Sequence, residues 1–204
     1  MKRLTRGLLV ASASNFVKVP KERVGVLVGT DGVVRRRIEE KMNVKLKIDS
    51  DSGDVEISLP PNAPDPTALF RAKDIVTAIG RGFSAEHAFI LMDNEDALFE
   101  IIDLHESVGK SEADLKRVKG RVIGKEGRTR SIIEELTETH VSVYGHTIGI
   151  IGEGEQIEIA EQAIRMLLHG SLHSTVYRFL HKKRRVLKKK KLEIWKPTEE
   201  RFEE

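Results

Sequence analysis

The chain has 204 residues, enough for one large domain or two small ones, and its 39% hydrophobic content is adequate for a packed core. It contains no cysteine, which excludes disulfides, thiol catalysis and cysteine metal sites. The net charge of +3 conceals an asymmetry, because residues 181–191 (HKKRRVLKKKK) carry eight Lys and Arg and no acid. Subtracting these eight charges leaves −5 for the rest of the chain. The basic cluster can therefore attract a polyanion, unless it is only a solvated tail.

Neither a membrane span nor a secretion signal is predicted. The first residues, MKRLTRGLLVASASNF, are basic, then apolar, then small, as in a signal peptide. Their apolar part, GLLVA, is shorter than the roughly 7–15 residues of a signal, so we interpret the segment as mature protein. No apolar run approaches the ~18 residues that a membrane helix needs. We therefore expect a cytoplasmic protein without a membrane partner.

The predicted elements of the first half begin with a strand in residues 14–20 (SNFVKVP). Pro20 then suits the start of a helix that runs to a glycine turn, because proline has no N–H to lose at that position. After this Gly-x-x-Gly turn, apolar residues four apart predict a second helix, and alternation predicts a strand over residues 44–48 (VKLKI). A second strand over residues 55–59 and a helix over residues 67–79 complete this half.

The two halves of the chain repeat each other at an interval of 95 residues. Residues 26–32 (VLVGTDG) align with residues 121–127 (RVIGKEG), and the apolar positions of the helix and strands that follow coincide as well. An agreement this long predicts two copies of one domain. The predicted boundaries are 1–92 for the first copy, 93–180 for the second copy and 181–204 for a basic C-terminal extension.

The second copy is predicted to contain the same elements as the first. Ser111 caps the helix before its loop, in a capping box with Asp114, and Gly170 ends its last helix. Its strands are predicted over residues 98–102, 140–144 and 146–152, and its helices over residues 111–123, 129–136 and 155–170. The strands of each copy can form a small antiparallel sheet with the helices packed on one face, which is an α+β fold.

Each Gly-x-x-Gly turn offers a site for a phosphate. The helix that follows the turn begins with free N–H groups and a positive dipole end. Glycine lets another backbone approach because no Cβ is in the way. Positive charge is added by Arg35, Arg36, Lys45 and Lys47 around the first loop and by Lys125, Arg128 and Arg130 around the second.

The spacing of the glycines argues against a bound nucleotide. A triphosphate loop requires G-x-x-x-x-G-K-S/T. Here Gly120 precedes Gly124 by four positions instead of five, and Glu126 occupies the position of the magnesium-binding Ser or Thr. A dinucleotide fingerprint also fails, because GEGEQI lacks the third glycine. We therefore expect no cofactor.

Two possible metal sites have simpler explanations. His169 and His173 have the i, i+4 spacing of a helical metal site, but Gly170 breaks the helix between them and no third ligand is evident. The segment DSDSGD resembles a calcium loop, yet its twelfth position is Pro60, so we interpret it as a polar hairpin. No bound metal is expected.

The remaining polar motifs do not indicate catalysis. The acid pairs Glu39–Glu40 and Glu134–Glu135 stand among basic neighbours, and we interpret them as charged helix surfaces. No Ser-His-Asp arrangement stands out. Trp195, the single tryptophan, either docks back on the body of the protein or belongs to a peptide that binds a partner.

The context of the glycine turns resembles a known domain. Both turns follow a hydrophobic residue and Ile or Val, and both precede an amphipathic helix and two alternating strands. This pattern resembles the KH domain, whose GXXG loop clamps about four nucleotides of a single strand. The second copy, with its GKEGRT, IEELTET and LLHG segments, is similar to the C-terminal KH domain of the Partner-of-Nob family (Pno or Dim, with the related Krr proteins), in its archaeal form. The resemblance implies two eukaryotic-type (type I) KH domains in tandem, each with a three-stranded antiparallel sheet and helices on one face.

The resemblance also implies a protein that binds single-stranded RNA and is not an enzyme. Its target would be the 3′ region of small-subunit (16S) rRNA or the precursor, during ribosome assembly and rRNA processing. A Nob-type endonuclease or a translation factor would be a further partner. The alternative is a KH scaffold that docks such a protein with little affinity for RNA. Asp31 favours this alternative for the first copy, because its carboxylate would repel a phosphate.

The residues expected at RNA surround the two loops and the basic segment. Leu172, Val176, Phe179 and Leu180 are predicted to pack one face of a helix that carries the segment onward as a basic arm. Glu126, an acid inside a phosphate-binding loop, is expected to point away from RNA. The expected RNA-binding residues are Gly29, Thr30, Gly32, Arg35, Arg36, Lys45 and Lys47, then Gly124, Lys125, Glu126, Gly127, Arg128, Thr129 and Arg130, and finally Lys182, Lys183, Arg184 and Arg185.

Overall fold

The chain divides into two compact units, with the boundary between Glu95 and Asp96. The computed structural model describes residues 14–61, 63–109 and 111–194. The apolar stretch GLLVA near the start of the chain and Trp195 both lie outside the described residues. None of the described helices combines the length and the hydrophobicity that a membrane span requires.

Three strands and four helices make up the described part of the first unit. They are β1 (Ser14–Lys18), α1 (Lys21–Val28), α2 (Val33–Met42), β2 (Lys45–Ile48), β3 (Asp54–Ser58), α3 (Ala68–Gly80) and α4 (Ala85–Asp93). The strands form an antiparallel sheet of order β1-β3-β2, in which Glu56 of β3 pairs with Phe16 on one side and Lys47 on the other. Pro20 precedes α1, as predicted.

The described part of the second unit contains three strands and five helices. They are β4 (Ala97–Asp103), α5 (Leu104–Val108), α6 (Glu112–Ile123), α7 (Arg128–Thr137), β5 (His140–Tyr144), β6 (Thr147–Glu153), α8 (Gly154–Leu168) and α9 (His173–Ile194). The sheet is antiparallel, with order β4-β6-β5. Ser111 caps α6, because its hydroxyl accepts a hydrogen bond from the N–H of Asp114 at 3.4 Å. The predicted fold class, α+β with a three-stranded antiparallel sheet in each copy, is confirmed.

The helices pack on the sheets through residues whose spacing predicts these elements. Apolar residues recur with a period near 3.6 in the helices and near 2 in the strands, so each element buries one face. Ile38 of α2 and Leu46 of β2 are buried in the first unit, and Ile133 of α7, Ile148 and Ile150 are buried in the second. Each fully buried side chain of this size contributes about 1.5–3 kcal/mol to the stability of the fold.

Two helices lie where the sequence pattern predicts none. In α4 the hydroxyl of Ser84 caps the first turn by accepting from the N–H of His87 at 3.3 Å. The buried Ala88 lies on this helix, which packs against α3. The five-residue α5 is capped by Asp103, whose carboxylate accepts from the N–H of His105 at 2.8 Å. The five residues of α5 are too few to show a period, and the continuous apolar run AFILM of α4 (residues 88–92) does not distinguish a helix from a strand.

Candidate nucleic-acid interface

The GKEG loop joins α6 to α7 in a turn that depends on its glycines. Gly124 has φ 74° and ψ 178°, a conformation that is essentially restricted to glycine. A Cβ on Gly124 would lie 2.2 Å from Oγ1 of Thr129. Glu126 and Gly127 also have positive φ, of 54° and 78°. The turn therefore carries the chain directly from the end of α6 to the N-terminus of α7, where unpaired N–H groups can bind an anion.

The GTDG loop of the first unit has nearly the same backbone as the GKEG loop. Gly29, Asp31 and Gly32 have φ values of 73°, 50° and 75°, and Gly29 has ψ 173°. The agreement extends to the ends of the helices that follow, where Asn43 and Glu138 have left-handed φ values of 50° and 57°. The 95-residue repeat in the sequence is therefore a repeat of backbone conformation.

One member of each acid pair does more than carry surface charge. Oε1 of Glu39 accepts a hydrogen bond from the N–H of Leu46 at 2.8 Å. Oε1 of Glu134 accepts one from the N–H of Val141, also at 2.8 Å. Each carboxylate ties the helix after the loop to the strand that follows it. The 95-residue repeat does not single out the acid with this role, because Glu40 recurs as Glu135 in the same way.

The second loop presents two cations without partners. The side chains of Lys125 and Arg128 are exposed, and neither makes an ion pair or a side-chain hydrogen bond with any of the described residues. Arg130 is partly neutralised, since its Nε lies 3.7 Å from Oε2 of Glu134. Glu126 is exposed, and its orientation relative to RNA stays a prediction. Lys125 and Arg128 are therefore the cations of this loop that are free to meet a phosphate.

Thr129 differs from the other residues expected at RNA. Its side chain is only 3% exposed, and its Oγ1 lies 3.0 Å from the hydroxyl oxygen of Tyr177. It also fills the space against Gly124 that a Cβ would need. The side chain of Thr129 therefore supports the loop from beneath. Tyr177, which the sequence gives no reason to select, links this support to α9.

The first loop lacks the free cations of the second. Thr30 stands where the second loop has Lys125, and Val33, which is 55% exposed, stands where it has Arg128. Arg35 is occupied by Glu39, with its Nη2 3.3 Å from Oε1. Arg36 is exposed and has no partner among the residues that the structure describes. The loop is thus shaped like a phosphate site but carries an acid, Asp31, and an apolar side chain.

Lys45 and Lys47 lie on β2, the strand that follows the helix after the first loop. Both are exposed on β2, and they alternate with Leu46, which is buried on the face that the helices cover. The two lysines therefore point to the opposite face of the sheet, because successive side chains of a strand alternate between faces. Their contribution to the charge around the loop stays a prediction.

The basic segment is part of one long helix, as predicted. α9 packs against α7 and α8, with Val176 and Leu180 fully buried. Phe179 is partly buried in the same core. Leu172 does not pack as expected: it precedes the helix and is 72% exposed.

The four basic residues expected at RNA on α9 divide into two kinds. Lys182 and Arg185 are exposed and have no partner within the described part of the chain. Lys183 lies over the ring of Phe179, with its Nζ 5.7 Å from the centroid. Arg184 pairs with Glu135 of α7, Nη1 to Oε1, at 3.4 Å. Arg184 therefore helps to hold α9 along α7, and Lys182 and Arg185 remain available to a polyanion.

The groups considered as metal ligands have other roles. His173 Nε2 lies 3.0 Å from the carbonyl oxygen of Arg121. In DSDSGD, the carboxylate of Asp49 accepts hydrogen bonds from the N–H groups of Asp51 at 2.9 Å and Ser52 at 3.2 Å, which lowers its pKa. The segment forms the turn between β2 and β3, which confirms the polar hairpin. Among the described residues, no three His, Asp or Glu side chains cluster as metal ligands would.

Two family models match the chain, one for each unit. Residues 14–94 match the model described as the Krr1 KH1 domain. Residues 98–185 match the model for the second KH domain of Pno1, described as a eukaryotic-type KH domain (KH domain type I). Each match contains one Gly-x-x-Gly loop together with the helix and strands that follow it.

Three similar proteins match most of the chain. A KH domain-containing protein of Methanocaldococcus jannaschii is 48% identical over 181 residues, which are 89% of this chain and 78% of that protein. The RNA-binding protein pno1 of Drosophila melanogaster is 32% identical over 79% of this chain and 67% of its own length. The crystal structure of an a/eIF2alpha-aDim2p-rRNA complex from Pyrococcus horikoshii contains a chain that is 46% identical. It superimposes with a TM-score of 0.81 over 87% of this chain and 97% of that one.

Proposed function

Because the chain belongs to the Pno/Dim family of tandem KH-domain proteins, we propose that it binds single-stranded RNA through the GKEG loop of its second domain. The target is the 3′ region of small-subunit rRNA or its precursor, during ribosome assembly and processing in an archaeal cytoplasm. The protein acts by binding and not as an enzyme. The observation that carries the proposal is the pair of free cations, Lys125 and Arg128, on a loop that opens onto the start of α7. The rRNA named with the Pyrococcus relative supports the choice of RNA.

The loop binds a phosphate by three effects that act together. Gly124 and Gly127 allow the RNA backbone to approach the protein backbone closely. The N–H groups at the start of α7 and its dipole attract the phosphate oxygens. Lys125 and Arg128 neutralise the charge, and each contact of this kind with a single strand steepens the dependence of log affinity on log salt by about 0.7. Phosphate contacts fix the position of the strand but carry no sequence information.

A double substitution in the GKEG loop tests this proposal. The double substitution Lys125→Asp and Glu126→Asp converts GKEG to GDDG, and the fold should tolerate it because Asp31 already holds the left-handed position of the first loop. We expect the affinity for single-stranded RNA to fall at least tenfold, about what the loss of one charge-assisted hydrogen bond to phosphate costs. The measurement is a binding titration with a small-subunit rRNA 3′ oligonucleotide.

The matched control is Thr30→Asp, which gives the first loop the same GDDG sequence. In the first loop, Thr30 and Val33 stand at the positions of the free cations Lys125 and Arg128. The affinity for RNA should therefore change less than twofold. Unchanged affinity in the second-loop variant would contradict the proposal. Equal losses in both variants would show that net charge, and not this loop, governs binding.

For the first domain we propose a protein-docking role. The exposed Val33 and the acid Asp31 at its loop suit a protein surface better than a phosphate, and the complex of the Pyrococcus relative also names a translation factor subunit. A Nob-type endonuclease and a translation factor are the partners to test. After nuclease treatment, the amount of each partner bound to Val33→Arg protein is compared with the amount bound to the wild type. Equal amounts for either partner would count against this role.

A further inference from the structure

A cavity of about 390 Å³ lies beside the GKEG loop. Its walls come from three elements: α6, the loop with the start of α7, and the first turns of α9. Its size falls within the roughly 300–1,000 Å³ of sites that hold small molecules. The strand β5 contributes no lining residue.

The cavity and the β5 side of α6 are different surfaces. Nζ of Lys119 donates to the carbonyl oxygen of Gly145 at 2.9 Å, so the turn between β5 and β6 lies on the Lys119 side of α6. Arg117 and Arg121, which line the cavity, project from a different side of the helix, because residues two apart differ in direction by about 200°. A strand of RNA that occupies the groove between the loop and β5 therefore leaves the cavity open.

Three of the four cations that line the cavity are available to a ligand, and the fourth is occupied. Lys125 and Arg128 have no partner among the described residues. Arg117 pairs with Asp114 at 3.0 Å, but its side chain is 61% exposed, so this pair is weak. The guanidinium of Arg121, by contrast, donates to the carbonyl oxygens of Leu167 and Ser171.

Two aromatic rings complete the cavity. His173 and Tyr177 both line it, with ring centroids 6.2 Å apart and planes inclined at 57°. Their polar atoms point to the protein: Nε2 of His173 lies 3.0 Å from the Arg121 carbonyl oxygen, and the Tyr177 hydroxyl lies 3.0 Å from Thr129 Oγ1. The rings are therefore held in place and offer apolar surface to a base.

We infer that this cavity is an additional nucleotide site, which binds the RNA residue next to those in the KH groove. Arg117 contacts the phosphate of this added residue, and the base lies against the rings of His173 and Tyr177. The site rests on the proposed RNA binding of the second domain and extends it by one nucleotide across the GKEG loop. It also gives α9 a role in RNA recognition beyond its basic end.

The test compares RNAs of increasing length. Single-stranded RNA pools of randomised sequence, with four, five and six nucleotides, are titrated into wild-type protein and into Arg117→Gln. For the wild type, lengthening beyond four nucleotides should raise the affinity about tenfold, as expected for one added charge-assisted phosphate contact. Arg117→Gln should lose most of this gain, and its salt slope for the longer RNA should fall by about 0.7. The affinity for four nucleotides should be unchanged.

Two control variants separate this site from general effects. Lys73→Gln removes the same charge from the exposed surface of α3 in the first unit and should leave both affinities as in the wild type. Arg117→Lys keeps the charge and should restore the salt slope. Equal weakening of short and long RNAs by Arg117→Gln, or a gain with length that Arg117→Gln leaves intact, would overturn the site while leaving the proposed function standing. If none of these short RNAs binds the wild type, the site is overturned, and the proposed function falls with it only if the small-subunit rRNA 3′ oligonucleotide also fails to bind.

Discussion

At the scale of single residues, conformation and charge are set separately in the two loops. Glycines and left-handed acids fix the turn, whereas the neighbouring positions decide whether it attracts a phosphate. Asp31 and Glu126 have almost the same φ, of 50° and 54°, yet only the second loop has free cations beside its acid. Equivalent carboxylates, Glu39 and Glu134, hold the next strand in each unit.

The strand contact of Glu134 gives a test at this scale. In Glu134→Ala the N–H of Val141 loses its acceptor, so the free energy of unfolding should fall by about 1–3 kcal/mol. Urea denaturation measures this change. Glu135→Ala is the matched control, because Glu135 is exposed and Arg184 is its one ion-pair partner in the described part of the chain, and its effect should stay below about 1 kcal/mol. Equal losses in the two variants would contradict a structural role for the Glu134 contact.

The sequence predicts some of these residue roles and cannot predict others. Gly124 and Gly127 follow from local spacing, and the helices and strands around them follow from apolar periods. The burial of Thr129 depends on Tyr177, 48 residues later in the chain, so no local pattern reports it. The outward direction of Lys45 and Lys47 follows from alternation in the sequence and is confirmed, but their distance from the loop depends on how the sheet meets the helices.

At the scale of elements, α9 joins the packed domain to the basic segment. Its first turns are buried through Val176 and Leu180, and the part beyond Leu180 carries the exposed Lys182 and Arg185. Contacts at both ends of α7, Thr129 with Tyr177 and Glu135 with Arg184, hold α9 alongside the helix that follows the loop. The cations of α9 are therefore placed by packing and not by a free tail.

A pair of leucines tests whether this packing matters. Leu180→Ala leaves a cavity in the core of the second unit and should lower the free energy of unfolding by about 2–5 kcal/mol. Leu172→Ala makes the same chemical change at a site that is exposed, and it should cost less than about 0.5 kcal/mol. Thermal or urea unfolding of both variants measures the difference. Similar values would show that α9 does not belong to the stable core.

At the scale of the whole molecule, positive charge is clustered in one segment near the end of the chain. Residues 181–191 carry eight positive charges, and the remainder of the chain sums to −5. Both units share one architecture, so fold alone does not distinguish their functions. The distribution of cations does, because it places the attraction for a polyanion at the second loop and along α9.

The salt dependence of RNA binding tests this distribution. Replacing Lys182 and Arg185 together by Gln should reduce the slope of log affinity against log salt by about 1.4, or 0.7 for each lost phosphate contact. The loss should be the same for RNAs of different sequence, since phosphate contacts carry no sequence information. Arg184→Gln, which removes a paired cation, should change the slope by less than half as much. A slope that is unchanged in the double variant would exclude these cations from the interface.

The matching backbones of the two loops have a consequence for how such a protein can evolve. After duplication, the turn itself was retained in both copies, down to the left-handed positions of Asp31 and Glu126. The copies diverged in side chains that point to solvent, such as Thr30 against Lys125 and Val33 against Arg128. Substitutions at such positions do not disturb the core, so ligand preference could change in one copy by single steps while folding stayed constant. The first domain thus keeps a pre-formed loop whose exposed side chains can vary at no cost to the fold.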